Sequence, residues 1–237
     1  MIISMAGLMM LWAAQSPQAY ASIMTIDTSY GEFTPGDLNQ GWWSGTADNF
    51  DANNNYVVGD FGGDSYRNFF TFKLDNVNGV ITSATLNLLR GTSDGSQFVY
   101  NLGSVTTDAA TLNANDGHNA GIYNDLGSGT SFGSFSVSDN GNPTDLLSFN
   151  LNSAGLAAIN ASEGGYFSLG GSLNAQGNVI TVDPFLFGST NDGIAQELVL
   201  QVANPVPELP TVLLVGLGLV GAVLIKRTVK ETAGAIE

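Results

Sequence analysis

The chain predicts an all-β protein: a β-sandwich, most simply a jelly roll, with one or two short helices. An N-terminal signal helix and a C-terminal single transmembrane helix flank it. Three observations predict this. Many short runs alternate apolar and polar residues, as half-buried strands do. Gly, Asn, Asp and Ser fill the gaps, as turns with positive φ require. Uncharged apolar stretches stand at the two ends and nowhere between.

Residues 1–14 are apolar apart from Ser4, Pro17 breaks a helix, and Ala19-Tyr20-Ala21 is a small-x-small cleavage signal. Residues 1–21 therefore read as a signal peptide, cut so that Ser22 begins the mature chain. No Lys or Arg precedes the apolar core, and a retained membrane anchor is the alternative reading. A signal peptide implies the Sec translocon and signal peptidase as partners.

Residues 22–203 are expected to form the exported β domain. In 68–74, Phe70, Phe72 and Leu74 share one face, with Thr71 and Lys73 on the other. Residues 84–88 repeat the pattern, with Asn78-Gly79 as a turn between them. Further strands are expected at 98–102, 134–137, 146–151, 166–169, 179–182, 185–187 and 196–202. In 153–161, Leu156 and Ile159 have helical spacing, Ser153 is the N-cap candidate, and Gly164-Gly165 follows. Residues 107–114 are a second short helix candidate. No internal repeat of fixed period is visible, which excludes a β-helix or propeller.

Composition narrows the chemistry. Six Lys and Arg face 21 Asp and Glu, a net charge of −15, and there is no Cys. Lys226, Arg227 and Lys230 lie in the tail, so only Arg67, Lys73 and Arg90 oppose the carboxylates of the domain. Such a surface repels nucleic acid and anionic membranes and attracts divalent cations. Disulfides and thiol chemistry are excluded. His118 is the single histidine; with no Cys beside it, a zinc site lacks ligands.

Candidate sites are few. Trp42 and Trp43 are adjacent, so in a strand one should face inward and the other outward, where it could stack on a sugar ring. The alternative is that one is core and the other packs under a loop. Asp48, Asp51, Asn53 and Asn55 make an oxygen-rich loop, with Asp60 and Asp64 nearby. Calcium takes such hard oxygens; the alternative is an ordinary Asx-rich turn. A Ser-His-Asp triad through His118 is arithmetically possible, but a histidine in a loop such as 115–119 is more often solvated than catalytic. Glu163 and Glu197 are the two Glu residues well inside the domain. A glycoside hydrolase or lyase would need two carboxyl groups facing one cleft, and nothing marks a pair. Gly127-Ser128-Gly129 and Gly164-Gly165 lack the Lys and helix of a phosphate loop. The domain is thus expected to be non-enzymatic.

At the C-terminus, Val206-Pro207-Glu208-Leu209-Pro210 precedes an uncharged run that ends in Lys226-Arg227. As a helix, residues 209–225 would reach roughly 26 Å, enough for a thin bilayer. Pro205, Pro207 and Pro210 hold the approach extended. Lys226, Arg227 and Lys230 keep the far side in the cytoplasm. The alternative is a buried helix of a soluble domain.

A signal peptide, a Val-Pro-Glu cue and a Gly/Leu-rich span closed by Lys-Arg together resemble the PEP-CTERM sorting family of Gram-negative bacteria. The resemblance covers residues 204–237. It implies an exosortase as processing partner, Val206, Pro207 and Glu208 as the sorting motif, and residues 213–225 as the span that the membrane stop Lys226 and Arg227 closes. It also implies an association with exopolysaccharide and biofilm. Two departures stand out: Leu209 separates Glu208 from Pro210, and the tail runs on to Glu237. The stretch from Gly41-Trp42-Trp43 through 66–72 to Ser83-Ala84-Thr85-Leu86 is similar to the exported β-sandwich domains found ahead of PEP-CTERM tails. So are Ile122-Tyr123-Asn124-Asp125-Leu126-Gly127-Ser128-Gly129 and Phe167-Ser168-Leu169-Gly170-Gly171. That second resemblance implies no established ligand or reaction. The expectation is an exported cell-surface or extracellular-matrix protein, a single-pass inner-membrane precursor until processed. A carbohydrate-binding module, with or without calcium stabilisation, is the alternative.

Overall fold

A computed structural model describes residues 20–29, 32–33, 38–49, 54–94, 97–114, 116–138, 140–175, 183–188 and 194–203. Residues 21–204 form one compact unit. It is mostly β, with two antiparallel sheets and three short helices among the described residues.

The smaller sheet holds β1 (Ala21–Asp27), β5 (Val80–Leu89), β9 (Leu146–Asn150) and β12 (Glu197–Ala203), in the order β1-β12-β5-β9. One of the two sheets curls into a half-barrel. The larger sheet contains β2 (Gln40–Ser44), β3 (Val58–Phe61), β4 (Asp64–Lys73), β6 (Thr92–Asp94), β7 (Gln97–Ser104), β8 (Ser131–Ser138), β10 (Tyr166–Ala175) and β11 (Phe185–Gly188). Its order is β6-β11-β3-β4-β10-β7-β8, with β2 paired to β4 outside that path.

Alternation sets the faces. Leu86 lies opposite both Leu198 and Phe149, so these three share the inner face of the smaller sheet. Phe72 opposite Phe167, and Phe70 opposite Leu169, do the same in the larger one. All belong to one apolar core, and an aromatic cluster runs through it. Tyr100 meets Phe149 and Phe187 edge-on, each with ring centroids 5.2 Å apart. The fully buried Tyr100 hydroxyl donates to Asn68 Oδ1 at 2.9 Å, and Asn68 Nδ2 donates to the Tyr56 carbonyl at 2.9 Å. Burial pushes the Tyr100 phenol well above its ordinary range, so it stays a donor.

Several expectations meet a different outcome. Asn78-Gly79 does not close a hairpin, because β4 and β5 lie in different sheets. Gly79 instead carries the chain between sheets at φ 122°, where a Cβ would lie 2.6 Å from the Ala203 carbonyl oxygen. The helix over 153–161 forms as α3 (Ser153–Ala161), but its cap is Asn152, whose side chain accepts from the Ala154 and Gly155 amides. The helix expected over 107–114 is α1 (Ala109–Ala114), and α2 (Ala120–Asp125) was not foreseen. Nor were β1, β2, β3 and β6. The strand expected at 179–182 lies outside the described residues. So do the signal peptide up to Ala19, the sorting motif Val206, Pro207 and Glu208, the span 209–225, and Lys226 and Arg227. Among the described residues no helix is long and apolar enough to cross a membrane.

The two ends of the domain are neighbours. Ala21, which opens β1, is the ladder partner of Ala203, which closes β12, and Ser22 pairs with Val202.

Candidate functional site

The outer face of the larger sheet is divided. Over β2 and β4 it is covered by α1 and α2. Asn119 caps α2 by accepting from the Gly121 and Ile122 amides at 2.9 and 3.1 Å. Asp108 starts α1 by accepting from the Thr111 amide at 2.9 Å. Asp125 ties the two helices together, accepting from the amides and hydroxyls of Thr106 and Thr107 at 2.7 to 2.8 Å. Burial alone would raise this carboxyl. The bonds from Thr107 and Thr106 outweigh it and hold the group below the usual aspartate range.

Beneath the helices lie Trp43 and Phe69, packed with Leu112, Ile122 and Leu126 in a second small core. Trp43 Nε1 donates to the Leu112 carbonyl at 3.0 Å. This matches the alternative reading, one tryptophan inward and the other packed beneath a covering segment, which here is two helices and not a loop. Trp43 does lie on the outer face, opposite Arg67, but the helices cover it to 3 % exposure. Trp42, opposite Asn68 on the other face, is 7 % exposed and meets Tyr66 edge-on at 4.6 Å. Neither ring offers a face to a sugar.

Next to the helices the outer face is open. Register places Ser172 opposite Asn101, and Asn101 opposite Ser134. These three form a polar row across β10, β7 and β8, and Ser134 Oγ donates to Asn101 Oδ1 at 2.7 Å. The adjoining row is Gly170 opposite Gly103, bare enough for the chain after α2 to approach. A Cβ on Gly170 would lie 2.6 Å from the Leu126 carbonyl oxygen. The result is a groove of about 390 Å³ floored by Ser, Asn and Gly, walled on one side by Tyr123 to Gly127 and on the other by Asp60 and Pro184.

Arg67 lines this groove. Its Nη1 donates to the Tyr123 and Asn124 carbonyls at 2.8 and 3.2 Å, where it complements the C-terminal end of α2. Its Cζ stands 4.3 Å from the Tyr123 ring centroid. Gly127 lies against the same group, for a Cβ there would come within 2.5 Å of Cζ. The other two cations of the domain have carboxylate partners: Lys73 bridges Glu32 and Asp75 at 2.8 and 2.9 Å, and Arg90 Nε is 3.9 Å from Asp145. Among the described residues Arg67 has none.

Of the candidate calcium loop, Asp48 and Asn55 are among the described residues. Asp48 pairs with His118 at 2.7 Å, both exposed, beside the bridge between Asn49 and Gly117. Asn55 accepts from the Val57 amide at 3.1 Å. Asp51 and Asn53 lie outside the described residues. Asp60 accepts from the Ser65 hydroxyl, and Asp64 from that of Thr46 at 2.6 Å. No group of three or more His, Cys, Asp or Glu among the described residues could hold a metal. Glu163 follows α3 and Glu197 opens β12, both exposed. Ala21 and Ser22, at the expected cleavage point, are exposed on β1, and the Ser22 hydroxyl reaches the Val202 carbonyl at 3.5 Å.

No protein-family model matches this chain, and no curated protein matches it.

Proposed function

We propose that the protein is exported and delivered to the cell surface or extracellular matrix, with its β body as a non-enzymatic β-sandwich of jelly-roll type. The signal peptide starts translocation through the Sec translocon and is removed before Ser22. The span 209–225 halts translocation, and Lys226 and Arg227 stay inside. Val206, Pro207 and Glu208 then present an extended segment at the outer membrane–water interface to an exosortase.

The observation that supports this reading is the pairing of Ala21 with Ala203. The first strand of the body begins beside the residue where its last strand ends, so two membrane-directed segments can address one bilayer without unravelling the fold. The absence of disulfides suits it as well: the body depends on its shared core and needs no oxidation after export. Replacing Glu208 with Ala should leave export intact and block processing, so the precursor with its C-terminal peptide accumulates in the membrane fraction. Normal processing of that variant, read by mass spectrometry of the C-terminal peptide, would overturn the cue.

A further inference from the structure

We propose that the open groove on the larger sheet binds an acidic saccharide, with Arg67 taking a carboxylate and the Ser/Asn floor taking hydroxyls. Arg67 spends Nη1 on the end of α2, while Nε and Nη2 have no protein partner among the described residues. Those two N–H groups form one edge of the guanidinium, the bidentate fork that matches a carboxylate. In a chain of net charge −15, a groove-lining cation left without a carboxylate is an open valence.

The rest of the lining selects the ligand. Asn101, Ser134, Ser172 and Asn174 supply small hydroxyl and amide groups that both donate and accept. Asp60, one oxygen of which takes the Ser65 hydroxyl, adds an acceptor. A phosphate dianion fits poorly, because Arg67 is the single cation of the lining. A lipid would find a lining more polar than apolar. A uronic-acid residue, with one carboxylate and several hydroxyls, matches the set. The proposal does not depend on the sorting signal, since binding by the purified protein requires no processing.

The test uses the full chain purified in detergent, with chelator and about 0.15 M salt so that long-range repulsion is screened beyond about 8 Å. Calorimetric titration with polygalacturonate should show binding, and its fully methyl-esterified form, the neutral counterpart, should bind at least about tenfold more weakly, the worth of one charge-assisted pair. Gly127→Ala should displace the guanidinium and weaken binding by a similar factor. Ser172→Tyr should abolish binding by filling the groove, and Gln201→Tyr, on the exposed face of the smaller sheet, should bind as wild type. Absence of polygalacturonate binding by the wild type, equal affinity for the methyl-esterified form, or undiminished binding by folded Ser172→Tyr would each overturn the proposal.

Discussion

On the outer face of the larger sheet, the part under α1 and α2 and the part beside them obey the same strand geometry but carry different side chains. The first has Trp43 and Phe69 where a solvent face would have polar residues, and the helices bury them. The second has Ser172, Asn101 and Ser134 in register, with Gly170 and Gly103 along the border, and stays open. One face of one sheet thus contains a stability site and a candidate binding site. Arg67 stands where they meet, with Nη1 fastened to the helices and its other edge left to the groove.

The covered half should be the costly one to disturb. Trp43→Ala removes the centre of the small core and the bond to the Leu112 carbonyl, and should cost about 3–5 kcal/mol, measured by denaturant unfolding. A loss below about 1 kcal/mol would mean that the helices sit loosely and the two halves are not distinct.

Asp125→Ala should cost less, because the carboxyl lies at the edge of the helix pair. Its effect should depend on pH. A carboxyl held below its unfolded value of about 3.9 contributes in full above that value and loses its contribution as pH falls through the folded value. The stability gap between wild type and Asp125→Ala should therefore be constant at neutral pH and close on the acid limb, below about pH 4. A gap that persists unchanged through the acid limb would assign the loss to packing, not to the bonds from Thr106 and Thr107.

The open half should be the tolerant one. Ser172→Tyr should change stability by no more than about 0.5 kcal/mol, since it meets solvent and not core. A larger loss would show the groove to be part of the packing.

Much of the core was legible from alternation. Phe70, Phe72 and Leu74 do share the inner face, as do Leu86 and Leu88, because the strand period alone decides this once one face is apolar. The fate of the outward tryptophan was not legible. Alternation assigns Trp43 to the outer face correctly, but only tertiary structure shows that α1 and α2 return to cover it. Asn78-Gly79 gave a local turn signal that says nothing of which sheet the next strand joins. The cap at Asn152 was missed by one position because Asn and Ser, both good caps, are neighbours. The groove was out of reach for another reason. Ser172, Asn101 and Ser134 are ordinary solvent-face residues in their own strands, and only strand order and register bring them into one row.

The account rests most on the placement of the β body outside the cytoplasm. The chain has no cysteine, so a single introduced thiol is an unambiguous reporter. Gln201→Cys on the body and Ala233→Cys in the tail can each be tested with a membrane-impermeant maleimide on intact spheroplasts of an exporting Gram-negative host. The account predicts that the thiol on the body is labelled without lysis and the tail thiol of the precursor only after lysis. Labelling of the body only after lysis would place it in the cytosol and contradict the account.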